Sequence, residues 1–359
     1  MKIALDISPL SSGHKIRGVG TYTANLVEAL KQYDRRNSYI FFTRTELVPK
    51  DADLVHYPYF DPFFLTLPLL KPAKTVVTIH DLIPLVFPEW FPSGIRGRIK
   101  WEIQKLSLRG VKAIITDSKC SKKDIIHFTG FPKDKIHVIY PAPGPEYRRL
   151  NNTLLMHRIR VKYNLPEKFI LYVGDVNYSK NILGLIKAFR FYTSEVSPRV
   201  KRGGPSTSEV KLVLVGKAFL DESLRETHQL LQLIKSLGLN EKVLRLGWVP
   251  KEDLPAIYNL AAVYCQPSFY EGFGLPVLEA MSCGCPVVAA KGGSLPEIAG
   301  EAAFYVDVDN TDNIAEGIQE VFSSEETQKK LSQKGLAQAK KFSWEKTAEE
   351  TIGVYERTH

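Results

Sequence analysis

Twelve short apolar runs punctuate this chain, and their alternation with helix-patterned stretches leaves few folds open to it. "KIALDI" (2–7), "YIFFTR" (39–44), "DLVHY" (53–57), "TVVTIH" (75–80), "AIITDS" (113–118) and "IHVIY" (136–140) occupy the first half. "FILYVGD" (169–175), "KLVLVG" (211–216), "VLRLGW" (243–248), "VYCQPS" (263–268), "PVVAA" (286–290) and "AAFYV" (302–306) repeat the scheme in the second. Helical segments such as "TYTANLVEALKQY" (21–33), and a longer one near 95–109, lie between most of them. Strands spaced by helices form βαβ units on parallel sheets. The fold class is therefore α/β, with two Rossmann-like halves.

Length agrees, because 359 residues exceed what one core sustains, about 250–300. The proline-rich "YPAPGPEYRRL" (140–150) places the joint ahead of the strand at 169. We expect domains at 1–165 and 166–341, followed by a terminal helix within 342–359, N-capped by Ser343 and carrying Glu345 and Glu349 in its early turns. Residues 195–210, polar and rich in Gly, Pro and Ser, read as a surface loop. A composition of 44% apolar and 24% charged residues is that of a soluble globular protein. The densest apolar stretch, "FFLTLPLL" (63–70), is too short to cross a bilayer, and "MKIALDI" reads as a strand rather than a secretion signal. Four cysteines without a disulfide spacing, two of them in the lone CxC of Cys283 and Cys285, fit a reduced cytoplasmic setting without a metal.

"SFYEGFGLPVLEAMSCGCPVV" (268–288) carries the chemistry. A strand runs into a glycine elbow and then a helix with Pro276 at its first position, ended by Gly284. The elbow thus lies at the carboxyl end of a parallel strand, where open α/β sheets bind ligands. Amides of Gly272, Phe273 and Gly274, with the helix dipole, suit an anion. The flanking Glu271 and Glu279 suit pairs of hydroxyls, since a carboxylate accepts two hydrogen bonds at once. A nucleotide sugar has both kinds of group.

This stretch resembles the signature of family-4 retaining glycosyltransferases, which have the two-domain GT-B fold. "LGWVPKEDLPAIYNLAAVYCQPS", "KGGSLPEIAGEAAFYVD", "YVGDVNYSKNILGLIKAF", "TIHDLIPLVFPEWFP" and "GVGTYTANL" extend the likeness over nearly the whole chain. The resemblance implies two Rossmann-like domains facing each other across a cleft, with the terminal helix crossing back to the first. It also implies transfer of a sugar, with retention, from a nucleotide diphosphate donor of the GDP-mannose or UDP-sugar type. Carried over residue by residue, Glu271 holds donor-sugar hydroxyls, Glu279 the ribose, and Lys180 the pyrophosphate. His80, at the end of an apolar strand, contacts the transferred sugar, making His80, Lys180 and Glu271 the catalytic set. Asn177 and Leu275 complete the donor contacts, and Gly18 and Gly20, in a glycine turn between first strand and first helix, add theirs through backbone N–H. Trp248, Val249 and Pro250 fall near the nucleobase. One position departs from the pattern: many relatives carry an arginine directly after the glycine of "YVG", and here stands Asp175.

The charge is uneven. Residues 1–150 hold 23 Lys and Arg against 14 Asp and Glu, whereas the remainder holds 25 of each. Arg96, Arg98, Lys100, Trp101 and Lys105 concentrate the excess on the helix near 95–109. There Ile95, Ile99, Ile103 and Leu106 form one apolar face that we expect against the core, while the cations suit an anionic membrane surface or acceptor. Peripheral attachment to the inner face of the cell membrane follows as an expectation, with a glycan or lipid-linked, cell-envelope acceptor. Two DxD patterns, Asp51/Asp53 and Asp307/Asp309, adjoin no glycine-rich loop, so we expect metal-independent catalysis and no cofactor beyond the donor. No aromatic-basic motif supports nucleic-acid binding. The alternatives are a sugar-nucleotide epimerase of the same fold or a non-catalytic nucleotide-binding protein.

Overall fold

A computed structural model of the protein describes residues 1–11, 18–193 and 210–359. The loop expected at 195–210, apart from Val210, lies outside the described residues. The chain divides into two compact units, Met1–Ala142 with Phe342–His359, and Pro143–Lys341.

The first unit is built on six parallel strands: β1 (Lys2–Asp6), β2 (Ser38–Phe42), β3 (Leu54–Tyr57), β4 (Lys74–Thr78), β5 (Ala113–Thr116) and β6 (Ile136–Val138). They are ordered β2-β1-β3-β4-β5-β6. Each strand feeds both faces of the sheet, as its period of two requires. Ile3, Leu5, Leu54, Val76 and Ile115 enter one core, and Ala4, Val55, Val77 and Ile114 the other. The helices are α1 (Ser8–Ser11), α2 (Gly18–Tyr33), α3 (Ile83–Val86), α4 (Gly94–Ser107) and α5 (Lys119–Thr129).

The second unit repeats the architecture with β7 (Phe169–Val173), β8 (Lys211–Val215), β9 (Val243–Leu246), β10 (Val263–Gln266), β11 (Val287–Ala290) and β12 (Ala303–Val306). Their order is β12-β11-β10-β7-β8-β9, so β7 and β10 are neighbours from which the chain winds in opposite directions. That pair is the topological switch point. Its helices are α6 (Thr153–Lys162), α7 (Ile182–Thr193), α8 (Arg225–Ser236), α9 (Leu254–Leu260) and α10 (Leu275–Ser282). They are followed by α11 (Leu295–Ala299), α12 (Thr311–Ser323) and α13 (Glu325–Ala339). The division at Ala142 and Pro143 puts α6 here rather than in a first domain ending at 165. At its end Lys162 Nζ and Tyr163 Oη donate to Asp253 of this unit, at 2.5 and 2.6 Å.

The terminal helix α14 (Trp344–Thr358) belongs to the first unit. Ser343 caps it by accepting from Lys346 N at 3.2 Å, and Thr347 Oγ1 donates to the Tyr140 carbonyl at 2.7 Å. Ala348, Ile352, Val354 and Tyr355 join the core beneath α2.

Three local expectations need correcting. Gly18 and Gly20 do not form a turn: they open α2, and the residues just before them, 12–17, lie outside the described residues. The helix after the elbow starts at Leu275, with Gly274 as N-cap at φ +96°, so Pro276 stands second. In α4 most of the apolar stripe faces outward, with Ile95 79%, Ile99 57% and Leu106 47% exposed and Ile103 half-buried. Gly97, Gln104 and Ser107 are buried instead. Gln104 Nε2 donates to the Asp61 carbonyl and Thr66 Oγ1 at 3.0 and 2.7 Å, and its Oε1 accepts from Leu67 N at 3.3 Å. At Gly97 a Cβ would stand 2.6 Å from that of Ser93 and in ordinary contact with the Phe63 ring. Loop 61–67 therefore grips the polar side of α4 and leaves Ile95 and Ile99 in solvent.

Candidate active site

The glycine elbow lies at the carboxyl end of β10, and the loop bearing Lys180 follows β7, so the two meet at the switch point of the second sheet. Lys180 is the last residue of a 3-10 turn, Tyr178–Lys180, and Asn181 at φ +53° turns the chain into α7. The two loops are tied directly. Tyr178 stacks on Phe269 with centroids 5.0 Å apart, and Tyr270 N donates to the Ser179 carbonyl at 3.3 Å.

Glu271 is 6% exposed and fully engaged. Its Oε2 accepts from Lys180 Nζ at 2.6 Å. Its Oε1 accepts from Gln266 Nε2 at 2.8 Å and from Ser268 Oγ at 2.7 Å. Gln266 Oε1 in turn accepts from the Tyr264 hydroxyl. A buried ion pair held by further hydrogen bonds is a preorganised site rather than a surface contact. The elbow is fixed from below: Ser294 Oγ lies 3.0 and 2.7 Å from the carbonyls of Glu271 and Phe273. Glycine is obligatory in the turn under it. A Cβ at Gly292 would stand 2.3 Å from the Ser268 carbonyl, and one at Gly293, with φ +61°, 2.3 Å from that of Glu271.

Glu279, one helical turn into α10, is 7% exposed and accepts from Tyr258 Oη at 2.9 Å. Burial pushes its carboxyl up to about 7, with Tyr258 and Tyr147 partly offsetting the rise. It is thus a carboxyl poised between its two forms near neutrality. Asn177 Oδ1 accepts from Ser179 Oγ at 2.8 Å, holding the loop before Lys180. Trp248, 56% exposed, follows β9 at the same edge of the sheet, with Val249 buried beside it and Pro250 turning the chain toward α9. Leu275 opens α10, whose first amides point toward the elbow's end of the sheet.

His80, Gly18 and Gly20 belong to the first unit. His80 follows β4; its Nδ1 lies 2.6 Å from Asp117 Oδ2 and its Nε2 3.1 Å from the Pro58 carbonyl. Both ring nitrogens face acceptors, a geometry that the doubly protonated ring satisfies. Burial opposes that charge, but Asp117 and then Asp81 raise the histidine above its ordinary range. Below it His56, fully buried, bridges Tyr355 Oη and Thr78 Oγ1 at 2.6 and 2.8 Å. Desolvation, then the charge on His80, lowers His56 to about 3 and keeps it neutral.

Sequence reasoning missed Gln266, Ser268, Ser294, Tyr258 and Asp117. Gln266 alone carried a signal, as the one amide in an otherwise apolar strand. The DxD carboxylates are engaged elsewhere: Asp51 pairs with Lys2, Asp53 accepts from Lys2 N, and Asp307 from Asp309 N. Among the described residues no group of three or more His, Cys, Asp or Glu could hold a metal ion, and no helix is long and apolar enough to cross a membrane.

Comparison with known proteins agrees with this geometry. The family profile "Glycosyl transferases group 1" matches residues 157–338 and "Glycosyltransferase Family 4" matches 27–143. O-antigen chain mannosyltransferase B of Escherichia coli is 34% identical over 84% of this chain and 75% of its own. The serotype-specific mannosyltransferase WbdA of Escherichia coli is 30% identical over 80% of this chain, which spans 34% of that longer protein. Among solved structures, Anabaena HepE, crystallised with UDP and glucose, aligns with a TM-score of 0.76 at 19% identity over 99% of this chain and 100% of its own. WaaG, a glycosyltransferase involved in lipopolysaccharide biosynthesis, aligns at 0.69 and 12% identity over 98% of each chain. These neighbours share the GT-B fold. The profile matches and the 34% identity over most of its length place this chain among the group 1, family-4 glycosyltransferases.

Proposed function

We propose that this glycosyltransferase moves a hexosyl group, mannosyl in first preference, from a nucleotide diphosphate sugar to a cell-envelope glycan or lipid-linked acceptor with retention of configuration. The observation that carries the donor reading is the buried Lys180–Glu271 pair beside the N-terminus of α10. In the free chain the two groups satisfy each other. A donor takes both, its diphosphate drawing Lys180 and its sugar hydroxyls taking the acceptor oxygens of Glu271. The α10 amides and Lys180 stabilise the departing diphosphate, so the charge that develops is met without a metal. Glu279 accepts the ribose hydroxyls and Trp248 flanks the base. His80, held by Asp117, contacts the transferred sugar, and a donor phosphate oxygen takes the acceptor's proton on the same face. The mannosyl preference rests on the names of the two Escherichia coli relatives.

The outward stripe of α4 supports attachment to an anionic membrane. Ile95, Ile99 and Leu106 stand with exposed Phe64, Leu65, Leu69 and Leu70 of the adjoining loop, among Arg96, Arg98, Lys100 and Lys105. Lys100 lies 5.2 Å over Phe64 and Lys105 5.7 Å over Trp101. Apolar side chains interleaved with cations suit the interface of an anionic bilayer.

Thermal shifts with UDP, GDP, ADP and dTDP, followed by slow hydrolysis of the matching nucleotide sugars, test the donor reading. Stabilisation by one diphosphate and release of its sugar are expected; no shift with any of the four overturns it. Sedimentation with vesicles tests the membrane reading, which equal binding to neutral and anionic vesicles, or none, refutes.

A further inference from the structure

We infer that a cavity at the C-terminal end of α4 binds the phosphate head group of an anionic lipid. This rests on the membrane reading above and adds to it a defined pocket with a chemical preference.

The cavity measures about 590 Å³, within the roughly 300–1,000 Å³ usual for small-ligand sites. It lies between the last turn of α4, the 3-10 turn Leu108–Gly110 that follows, and the end of α5 with its loop to β6. Leu106, Leu108 and Phe131 give it an apolar wall. Lys105, Arg109 and Lys135 bring three cations to it, and Glu102 a single carboxylate. That carboxylate is taken by Lys105 at 2.9 Å, an exposed pair that parts at little cost. Arg109 and Lys135 are exposed and form no ion pair among the described residues.

A cation suits a helix end, and Lys105 and Arg109 each stand near one. Helix ends do not explain why Lys135, from beyond α5, lines the same cavity. A guanidinium fork and an ammonium together match the several acceptor oxygens of a phosphate. The apolar wall calls for more than a free anion: it suits a ligand with a charged head and an apolar body. Leu106 joins the cavity to the outward stripe of α4, since it lines the one and belongs to the other. A lipid lying along that stripe therefore reaches the cavity with its head group.

Calorimetric titration of the full chain with monomeric dihexanoyl phosphatidate, beside sedimentation with vesicles, tests the assignment. The parent should bind this lipid, and Arg109→Ala/Lys135→Ala should weaken it at least about tenfold with an unchanged circular dichroism spectrum. Arg35→Ala/Lys50→Ala removes the same charge from exposed positions elsewhere in the first unit and should bind as the parent does. Dihexanoyl phosphatidylcholine, which has no net charge, and inorganic phosphate, which has no chains, should each bind at least about tenfold more weakly. Three results overturn the inference while the membrane reading stands: no phosphatidate binding by a parent that sediments with anionic vesicles, equal losses in the two double variants, or inorganic phosphate held as tightly as the lipid. A parent that neither binds phosphatidate nor sediments overturns both.

Discussion

The ion pair between Lys180 and Glu271 can be dissected by a double-mutant cycle. Glu271 is almost fully buried, and Lys180 keeps 19% of its side chain in solvent. Removing one partner of a buried pair costs about 3–5 kcal/mol, because the other charge is stranded. Glu271 retains Gln266 and Ser268 as donors, so Lys180→Met should fall at the low end, about 3 kcal/mol. Glu271→Gln should cost less, about 1–2 kcal/mol, because the flexible lysine can turn toward water. Lys180→Met/Glu271→Gln strands no charge, so its loss should fall short of the sum by about 2 kcal/mol. The unit concerned spans residues 143–341. At that size each kcal/mol moves its melting temperature by about 2–4 °C, so Lys180→Met should melt roughly 6–12 °C early. Calorimetry that resolves this unit's transition measures all three variants, and transfer assays should show each single change slowing the reaction at least about a hundredfold. Additive losses within about 0.5 kcal/mol would show that the pair carries no coupling in solution and sink the preorganisation argument.

Glu279 makes the site pH-dependent. Its carboxyl is raised from 4.5 to about 7, so the folded state binds the proton more tightly and stability should fall as pH rises across that window. Glu279→Gln should abolish the slope. On the proposed donor reading the carboxylate form accepts the two ribose hydroxyls, so the donor KM should drop as pH passes about 7; a KM flat from about pH 6 to 8 refutes the role. Gly293→Ala should cost more than about 2 kcal/mol and cripple transfer, because both its φ of +61° and a 2.3 Å approach to backbone forbid a Cβ. Gly130→Ala, with a similar φ of +68° but open space around it, is the control and should cost only about 1 kcal/mol with full activity. Gln266→Leu removes a donor to the Glu271 carboxylate, a bond worth about 1.5–3 kcal/mol. It should slow transfer about tenfold or more while the fold persists, as circular dichroism will report.

All twelve strands were legible because parallel strands buried on both faces read as unbroken apolar runs. Their ends were less so: the strand in "VYCQPS" ends at Gln266 and that in "FILYVGD" at Val173, short of the apolar runs read from the sequence. Glu271, Lys180 and Glu279 could be named from the residues and the resemblance. Their arrangement could not. Lys180 meets Glu271 across 91 positions only because β10 returns to lie beside β7, and no local pattern encodes that neighbour. Gln266, Ser268 and Ser294 escaped notice for the same reason, since a polar residue's partners are set by tertiary packing. Gly18 and Gly20 were misplaced because glycines ordinarily punctuate helices, whereas here they begin one.

The reversal of α4 shows how far periodicity can be trusted. A stripe at Ile95, Ile99, Ile103 and Leu106 establishes that the helix has an apolar face, but not which way the face points. Burying such side chains is worth about 1.5–3 kcal/mol each, so the core would ordinarily claim them. The unit instead buries Gln104, whose amide makes three hydrogen bonds to loop 61–67, and Gly97, where a Cβ would stand 2.6 Å from that of Ser93. Turning the stripe inward would strand the Gln104 amide and the groups that it satisfies, costing about 1–3 kcal/mol for each buried polar group left unpaired. The choice of small and polar residues on the inner side, rather than the apolar ones outside, fixes the orientation. Exposure of Ile95 and Ile99 is consequently part of the fold and stays uncompensated in water, so a second apolar phase is what would recover that free energy. Ile95→Ser/Ile99→Ser should therefore leave the melting temperature of the first unit nearly unchanged and lower binding to anionic vesicles. A large loss of stability in that variant would show that the stripe is packed after all, and the membrane argument would fall with it.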